Sequence, residues 1–180
     1  MGESIINEQA LAYIDALFGY AMTLTRDRAA AEDLVQETYV RAARAADKLA
    51  DGSKLKSWLF VVMRNAWLNQ VRHQNKGPRF IGLEDEEFDS SNCVGEQNTN
   101  PQIIYLRKLE QDEVRFAIES LPVNHREVVV LRDIEGFSYQ EIATVLGCPA
   151  GTVMSRLARA REKLRQLLDS RQPKTRAKVV

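Results

Sequence analysis

The stretch 77–101 decides what this chain can fold into. It holds Gly77, Pro78, the run Glu84-Asp85-Glu86-Glu87, Ser90-Ser91-Asn92, Gly95 and Asn98-Thr99-Asn100-Pro101. Such a composition cannot bury enough apolar surface to offset the entropy of ordering it, so it reads as a flexible acidic linker. The sequence on either side is rich in helix formers and carries apolar residues at helical spacing. The expected architecture is therefore all-α. Two small helical domains, 8–76 and 102–170, are joined by the linker 77–101 and followed by a basic tail, 171–180. Hydrophobic residues make up 44% of the chain, enough for packed cores.

Between residues 8 and 50 there is no proline and a single glycine, Gly19. Leu11, Ile14, Leu17 and Phe18 recur at helical spacing, as do Leu34, Val35, Thr38 and Tyr39. The segment Thr25–Arg28 separates the two helices, with Asp27 or Thr25 able to cap the second. A third helix is expected over 54–75, with Leu55, Trp58, Leu59, Val62 and Ala66 on one stripe and Phe60, Trp67 and Val71 nearly opposite. That helix needs neighbours on two sides, and Gly77-Pro78 ends it. Trp58 and Trp67 read as core rather than as stacking platforms, Trp58 the more firmly. In the second domain 103–120 fits one helix, and Leu121-Pro122 opens the next with proline in its first turn. Val128, Val129, Val130 and Leu131 supply core. Their β-branched run suits a strand, but the helical context favours helix, ended by Gly136.

Formal net charge is zero, yet its distribution is not even. Residues 52–83 hold six basic residues and no acid, 84–97 hold six acids and no base, and 152–180 hold nine basic residues against Glu162 and Asp169. Local clustering of this kind attracts phosphate whatever the overall isoelectric point. No apolar run reaches the ~18 residues of a membrane span, so no membrane insertion is expected. The N-terminus carries Glu3 and Glu8 and lacks the pattern of a secretory signal, which makes the cytoplasm the expected location. Cys93 and Cys148 build neither a disulfide framework nor a zinc site, and His73 and His125 have no companion ligands nearby, so neither metal nor cofactor is expected.

Residues 137–168 carry the most specific pattern. Ser138-Tyr-Gln-Glu141 has capping-box spacing, and the short helix it opens runs through Ile142, Ala143 and Leu146. Gly147-Cys-Pro-Ala-Gly151 follows as a tight turn, with Thr152 expected to cap a long helix from Val153 to about Asp169. The result is a helix-turn-helix. Val153 and Leu157 face inward, and Leu164 and Leu168 extend their stripe. Met154, Ser155, Arg156, Ala158, Arg159, Arg161, Glu162 and Lys163 face outward. Laid in a major groove, such a helix presents its first turns to base edges and its arginines to phosphates.

Two sets of residues then resemble one family. The stretches Leu121-Pro-Val-Asn-His-Arg126, Glu135-Gly-Phe-Ser-Tyr-Gln-Glu-Ile-Ala143 and Gly147-Cys-Pro-Ala-Gly-Thr-Val-Met-Ser-Arg-Leu-Ala-Arg-Ala-Arg161 resemble region 4 of bacterial sigma factors, most closely the extracytoplasmic-function (ECF) group of the sigma-70 family. Ala31-Glu-Asp-Leu-Val-Gln-Glu-Thr-Tyr-Val-Arg-Ala-Ala-Arg44 resembles region 2.2. Lys56-Ser-Trp-Leu-Phe60 with Arg64-Asn-Ala-Trp-Leu-Asn69 resembles the promoter-melting helix.

The resemblance implies a transcription initiation factor and not an enzyme. It would bind core RNA polymerase and promoter DNA, stay monomeric when free of partners, and answer to a cognate anti-sigma factor. It puts core-polymerase binding on Asp33, Gln36, Glu37 and Arg41. Contact with the −10 element falls on Asn65, Asn69, Arg72 and Lys76, with His73 and Arg79 also placed to meet phosphate. Contact with the −35 element falls on Ser138, Tyr139, Met154, Ser155, Arg156, Ala158 and Arg159. Many relatives carry a basic residue where this chain has Met154, which can touch a thymine methyl but offers a base edge no useful hydrogen bond.

Three other readings compete. A dimeric operator-binding regulator explains the helix-turn-helix but leaves the first domain without purpose. An enzyme finds no nucleophile–base pair or phosphate-cradling glycine loop in its favour. A decoy that occupies polymerase or its inhibitor is the third, and the retained DNA-reading residues weigh against it.

Overall fold

The computed structural model describes residues 9–45, 54–74 and 111–171, and among them there is no strand. The expected linker 77–101, Lys76, Arg79, Cys93 and most of the basic tail lie outside the described residues.

Helix α1, Ile14–Thr25, buries Leu17, Tyr20, Ala21 and Leu24 at helical spacing. Leu11 and Ile14, expected on that stripe, are exposed, because the neighbouring helices cover only the face centred on Tyr20. Arg26 takes a left-handed conformation, φ 56°, and turns the chain. Asp27 then accepts from the Ala30 amide at 2.7 Å and starts α2, Arg28–Arg44. Thr25 instead donates its hydroxyl to the Ala21 carbonyl at 3.0 Å. Helix α3, Leu55–Gln74, buries Leu55, Leu59, Phe60, Met63 and Ala66. It lies against α2 on one side and against the short helix of the helix-turn-helix on another, which is why it carries apolar residues on two stripes. Trp58 and Trp67 only half-bury at the edge of this core, and Met63 fills the place expected of Val62.

Residues 111–119 are helical and Leu121 is buried. Pro122 takes the cap position just ahead of α4, Val123–Val129, rather than a place in its first turn. Its carbonyl accepts from the amides of His125 at 2.9 Å and Arg126 at 3.0 Å. The chain continues as a π-turn, Val130–Ile134, in which the Val130 carbonyl accepts from the Glu135 amide at 2.9 Å. Val128 to Leu131 are all buried, because α4 has α1 on one side and the long C-terminal helix on the other. Gly136, at φ +75°, ends the segment.

The two expected domains share one apolar core. Tyr20 of α1 stacks on Phe60 of α3 at 5.1 Å between ring centroids, and Phe137 meets Phe60 edge-on at 5.0 Å. Arg26 and Arg126 both donate to the Glu119 carbonyl, at 3.0 and 3.2 Å. Burial first, and then Arg26 beside it, bring the Arg126 guanidinium down to about 10.

Candidate nucleic-acid and polymerase interface

The helix-turn-helix is built by local chemistry. Helix α5, Tyr139–Leu146, opens on a complete capping box: the Glu141 amide donates to the Ser138 hydroxyl at 3.3 Å, and the Ser138 amide donates to the Glu141 carboxylate at 2.8 Å. The Ser138 hydroxyl donates to the same carboxylate at 2.6 Å. These hydroxyl and amide bonds hold the Glu141 carboxyl below its usual range. Gly147, at φ 60°, closes α5 with Schellman-type bonds, from the Cys148 amide to the Ala143 carbonyl at 3.1 Å and from its own amide to Thr144.

Helix α6 runs Ala150–Arg171. Thr152 is therefore inside its first turn and not its cap. The Pro149 carbonyl already accepts from the Thr152 amide at 2.9 Å, so the helix begins three residues earlier than a Thr152 cap would set it.

Val153, Leu157 and Ala160 are buried against α4 and α5, while Leu164 and Leu168 are half-buried. Met154, Ser155, Ala158 and Arg159 are exposed and Arg156 is half-buried, so these five residues share the outer side of α6. Met154 leaves 53% of its surface in solvent. Two outward arginines are neutralised, Arg161 by Asp133 and Arg165 by Glu162. Ser138 is exposed and committed to its cap. Tyr139 is half-buried, with the Arg132 guanidinium 4.9 Å from its ring centroid.

On α2 the buried residues are Ala31, Leu34, Val35, Thr38 and Ala42. Asp33 and Gln36 lie on the opposite, exposed side, and Glu37 accepts from the Arg41 guanidinium one turn on. On α3, Asn65 and Arg72 are exposed and Asn69 is half-buried, at spacings that place all three on one face. Among the described residues no group of three or more His, Cys, Asp or Glu could hold a metal ion. No helix there is long and apolar enough to cross a membrane.

A second cluster was not expected from the sequence. Glu127 of α4 is 1% exposed, and its Oε1 accepts from the Tyr20 hydroxyl at 2.9 Å and from the Arg64 Nε at 2.9 Å. Burial and the adjacent carboxylate push the Tyr20 phenol well above its usual range, so it stays a donor. Burial works against the Arg64 charge, but Glu127 outweighs it and the net shift is upward. Nearby, Lys56 donates to the Glu135 carbonyl at 2.8 Å, pairs with the Glu135 carboxylate at 2.9 Å and sits 4.9 Å from the Phe137 ring centroid. These contacts tie α1 and α3 to the C-terminal helices, one residue away from Asn65. The one trace in the sequence is a carboxylate set directly against the apolar run Val128–Leu131.

A helix-turn-helix with a cationic outer helix, carried on an all-helical scaffold, is the fold of a DNA-binding transcription protein. Family models agree: sigma-70 region 2 matches residues 10–77 and sigma-70 region 4 matches residues 111–164. The chain is 35% identical to the ECF RNA polymerase sigma factor EcfG of Rhodopseudomonas palustris (strain TIE-1), over 91% of this chain and 84% of that one. It is 36% identical to the ECF RNA polymerase sigma-E factor of Escherichia coli (strain K12), over 73% of this chain and 70% of that one. Among solved structures it is similar to the sigma factor RpoE of Bartonella quintana in complex with the anti-sigma factor NepR. That match has TM-score 0.70 and 30% identity, covering 92% of this chain and 98% of that one. CnrH in complex with the cytosolic domain of CnrY matches at TM-score 0.61 and 27% identity, over 92% and 88%. The chain belongs to the ECF group of the sigma-70 family, transcription initiation factors that are not themselves enzymes.

Proposed function

We propose that the chain directs core RNA polymerase to promoters through three surfaces. Asp33, Gln36, Glu37 and Arg41 on α2 take the core enzyme. Asn65, Asn69 and Arg72 on α3, with Lys76 beyond it, receive the −10 strand as it opens: the two amides offer donors and acceptors to an unstacked base, and the cations suit phosphates. Ser138, Tyr139, Met154, Ser155, Arg156, Ala158 and Arg159 read the −35 duplex. The functional units are 8–76 and 102–170, joined by the acidic linker 77–101 and trailed by the basic segment 171–180. The chain works in the cytoplasm, where its polymerase is. A cognate anti-sigma protein holds it until a signal arrives, a reading supported by the B. quintana factor captured with NepR.

One observation carries this reading above the others. On the outer side of α6, Arg156 and Arg159 have no ion-pair partner among the described residues, while Arg161 and Arg165 are neutralised. Charge left unspent at the first turns of a recognition helix is what phosphate and base-edge contact requires.

The test is promoter selection by holoenzyme assembled from the chain and sigma-free core. The unaltered chain is expected to recover one −35 sequence. Arg159→Ala is expected to weaken its retention and leave core binding intact. Undiminished retention of the same sequence by Arg159→Ala would contradict the assignment of α6.

A further inference from the structure

On α6, Arg156, Arg159 and Lys163 follow one another at spacings that put them on one face. None has an ion-pair partner among the described residues. Helix α4 packs against α6, and on α4 it is His125 whose ring is under the charge of all three cations. Its ring is half-buried. Its Nδ1 is buried without a hydrogen-bond partner among the described residues, which leaves Nε2 as the nitrogen a ligand can reach.

The other charged and titratable groups around α4 are engaged elsewhere. From α1, Tyr20 donates to Glu127, and Arg26 joins Arg126 on the Glu119 carbonyl. From the π-turn, Asp133 pairs with Arg161. Among the described residues no carboxylate forms an ion pair with Arg156, Arg159 or Lys163.

We propose that His125 is a further promoter contact, which takes up a proton as the −35 duplex docks and, with Lys163, grips the DNA backbone beside the bases that α6 reads. The proposal rests on the reading of α6 as the −35 helix and deepens it. In the free chain, burial and then Lys163, Arg159 and Arg156 push His125 below its usual 6.5, so the ring is neutral near pH 7. A phosphate brought among these groups reverses the local field and favours the charged ring. The bound state then holds one more proton than the free state, so affinity rises as pH falls. Lys163 lies two turns along the helix from Arg156, and His125 belongs to the helix packed against α6. With α4 packed against α6, His125 and Lys163 extend the contact from the base-reading turn, as a phosphate track does.

The experiment uses holoenzyme made with the full chain, and a promoter duplex which that holoenzyme selects. Dissociation constants are measured from about pH 6 to about pH 8, the range over which histidine changes charge. The unaltered chain is expected to lose about fivefold to tenfold more affinity across this range than His125→Gln, whose profile flattens because the linked proton is gone. At the acid end His125→Gln is also expected to show a salt slope lower by about 1. His125→Arg, with a fixed charge, is expected to bind more tightly than His125→Gln at the alkaline end, a gain that loss of folding cannot mimic. Superimposable profiles for the three chains, or no gain for His125→Arg, would overturn the proposal. Failure of the unaltered chain to retain any promoter would overturn the −35 reading itself, and this proposal with it.

Discussion

Glu127→Ala is expected to part the two helical units while leaving each of them folded. The carboxylate is buried and takes both the Tyr20 hydroxyl and the Arg64 guanidinium, from partners 107 and 63 residues away. Removing one member of a buried charged pair costs about 3–5 kcal/mol. Arg64 keeps 14% of its side chain exposed and can turn towards water, so the lower end, about 3 kcal/mol, applies. That cost divides the ratio of closed to open forms by about 150. Tyr20→Phe removes one hydrogen bond, about 1 kcal/mol, and divides the same ratio by about five. Opening matters because promoter elements named −10 and −35 lie about 25 base pairs, or about 85 Å of duplex, apart. A compact chain of 180 residues has a radius of gyration of only about 16 Å. Small-angle scattering of the free chain reads the radius, and circular dichroism reads the helices. The expected outcome for Glu127→Ala is a larger radius with helicity retained, and a smaller step in the same direction for Tyr20→Phe. An unchanged radius, with an unfolding free energy within about 0.5 kcal/mol of the unaltered chain, would mean that Glu127 does not hold the two units together.

Three further outcomes are expected. Reversing charge at Asp33 and Glu37 to lysine should weaken core-polymerase binding by about tenfold or more, as a loss of about 1.4 kcal/mol or more implies, with the melting curve little changed; unchanged affinity in a competition assay would remove both residues from the interface. Asn65→Ala should slow open-complex formation, followed by permanganate reactivity of unpaired thymines, more than it weakens initial promoter binding; equal loss at both stages would make Asn65 structural. Ser138→Ala should cost about 1 kcal/mol of stability at neutral pH. Because the Glu141 carboxyl is held below 4.5 by Ser138, the stability it adds is present above that pH and is lost as pH falls through its depressed value. Ser138→Ala should therefore flatten the acid limb of a stability–pH curve, and an unchanged limb would mean the cap is dispensable.

What was legible in the sequence was local. The capping box of Ser138 and Glu141, the left-handed Gly147 and the inward Val153 and Leu157 depend on contacts within one or two turns, and all are present. The apolar faces of α3 announced neighbours on two sides without saying which. Thr152 misled because a capping hydroxyl is a weaker signal than the Pro149 carbonyl that already accepts the first helical bonds. Trp58 packs against the core as expected but stays half-buried, because ring size does not say how much of the ring a neighbour covers. The shared core escaped altogether: Tyr20, Arg64 and Glu127 meet only after the chain has returned on itself, and no local spacing encodes that meeting. Of the candidate site, the structure brings Met154, Ser155, Arg156, Ala158 and Arg159 together on one helix side and Asn65, Asn69 and Arg72 on another. His125 had no sequence signal, because its cationic neighbours lie on a different helix.

Whether this chain supplies promoter specificity to a polymerase is read by core-dependent transcription. Sigma-free core is mixed with the purified chain and a library of promoter fragments, and the transcripts are sequenced. Defined start sites are expected that appear only with the chain, each preceded by common −35 and −10 sequences. Retention of a duplex operator in the absence of core, with no chain-dependent transcript in its presence, would contradict this expectation.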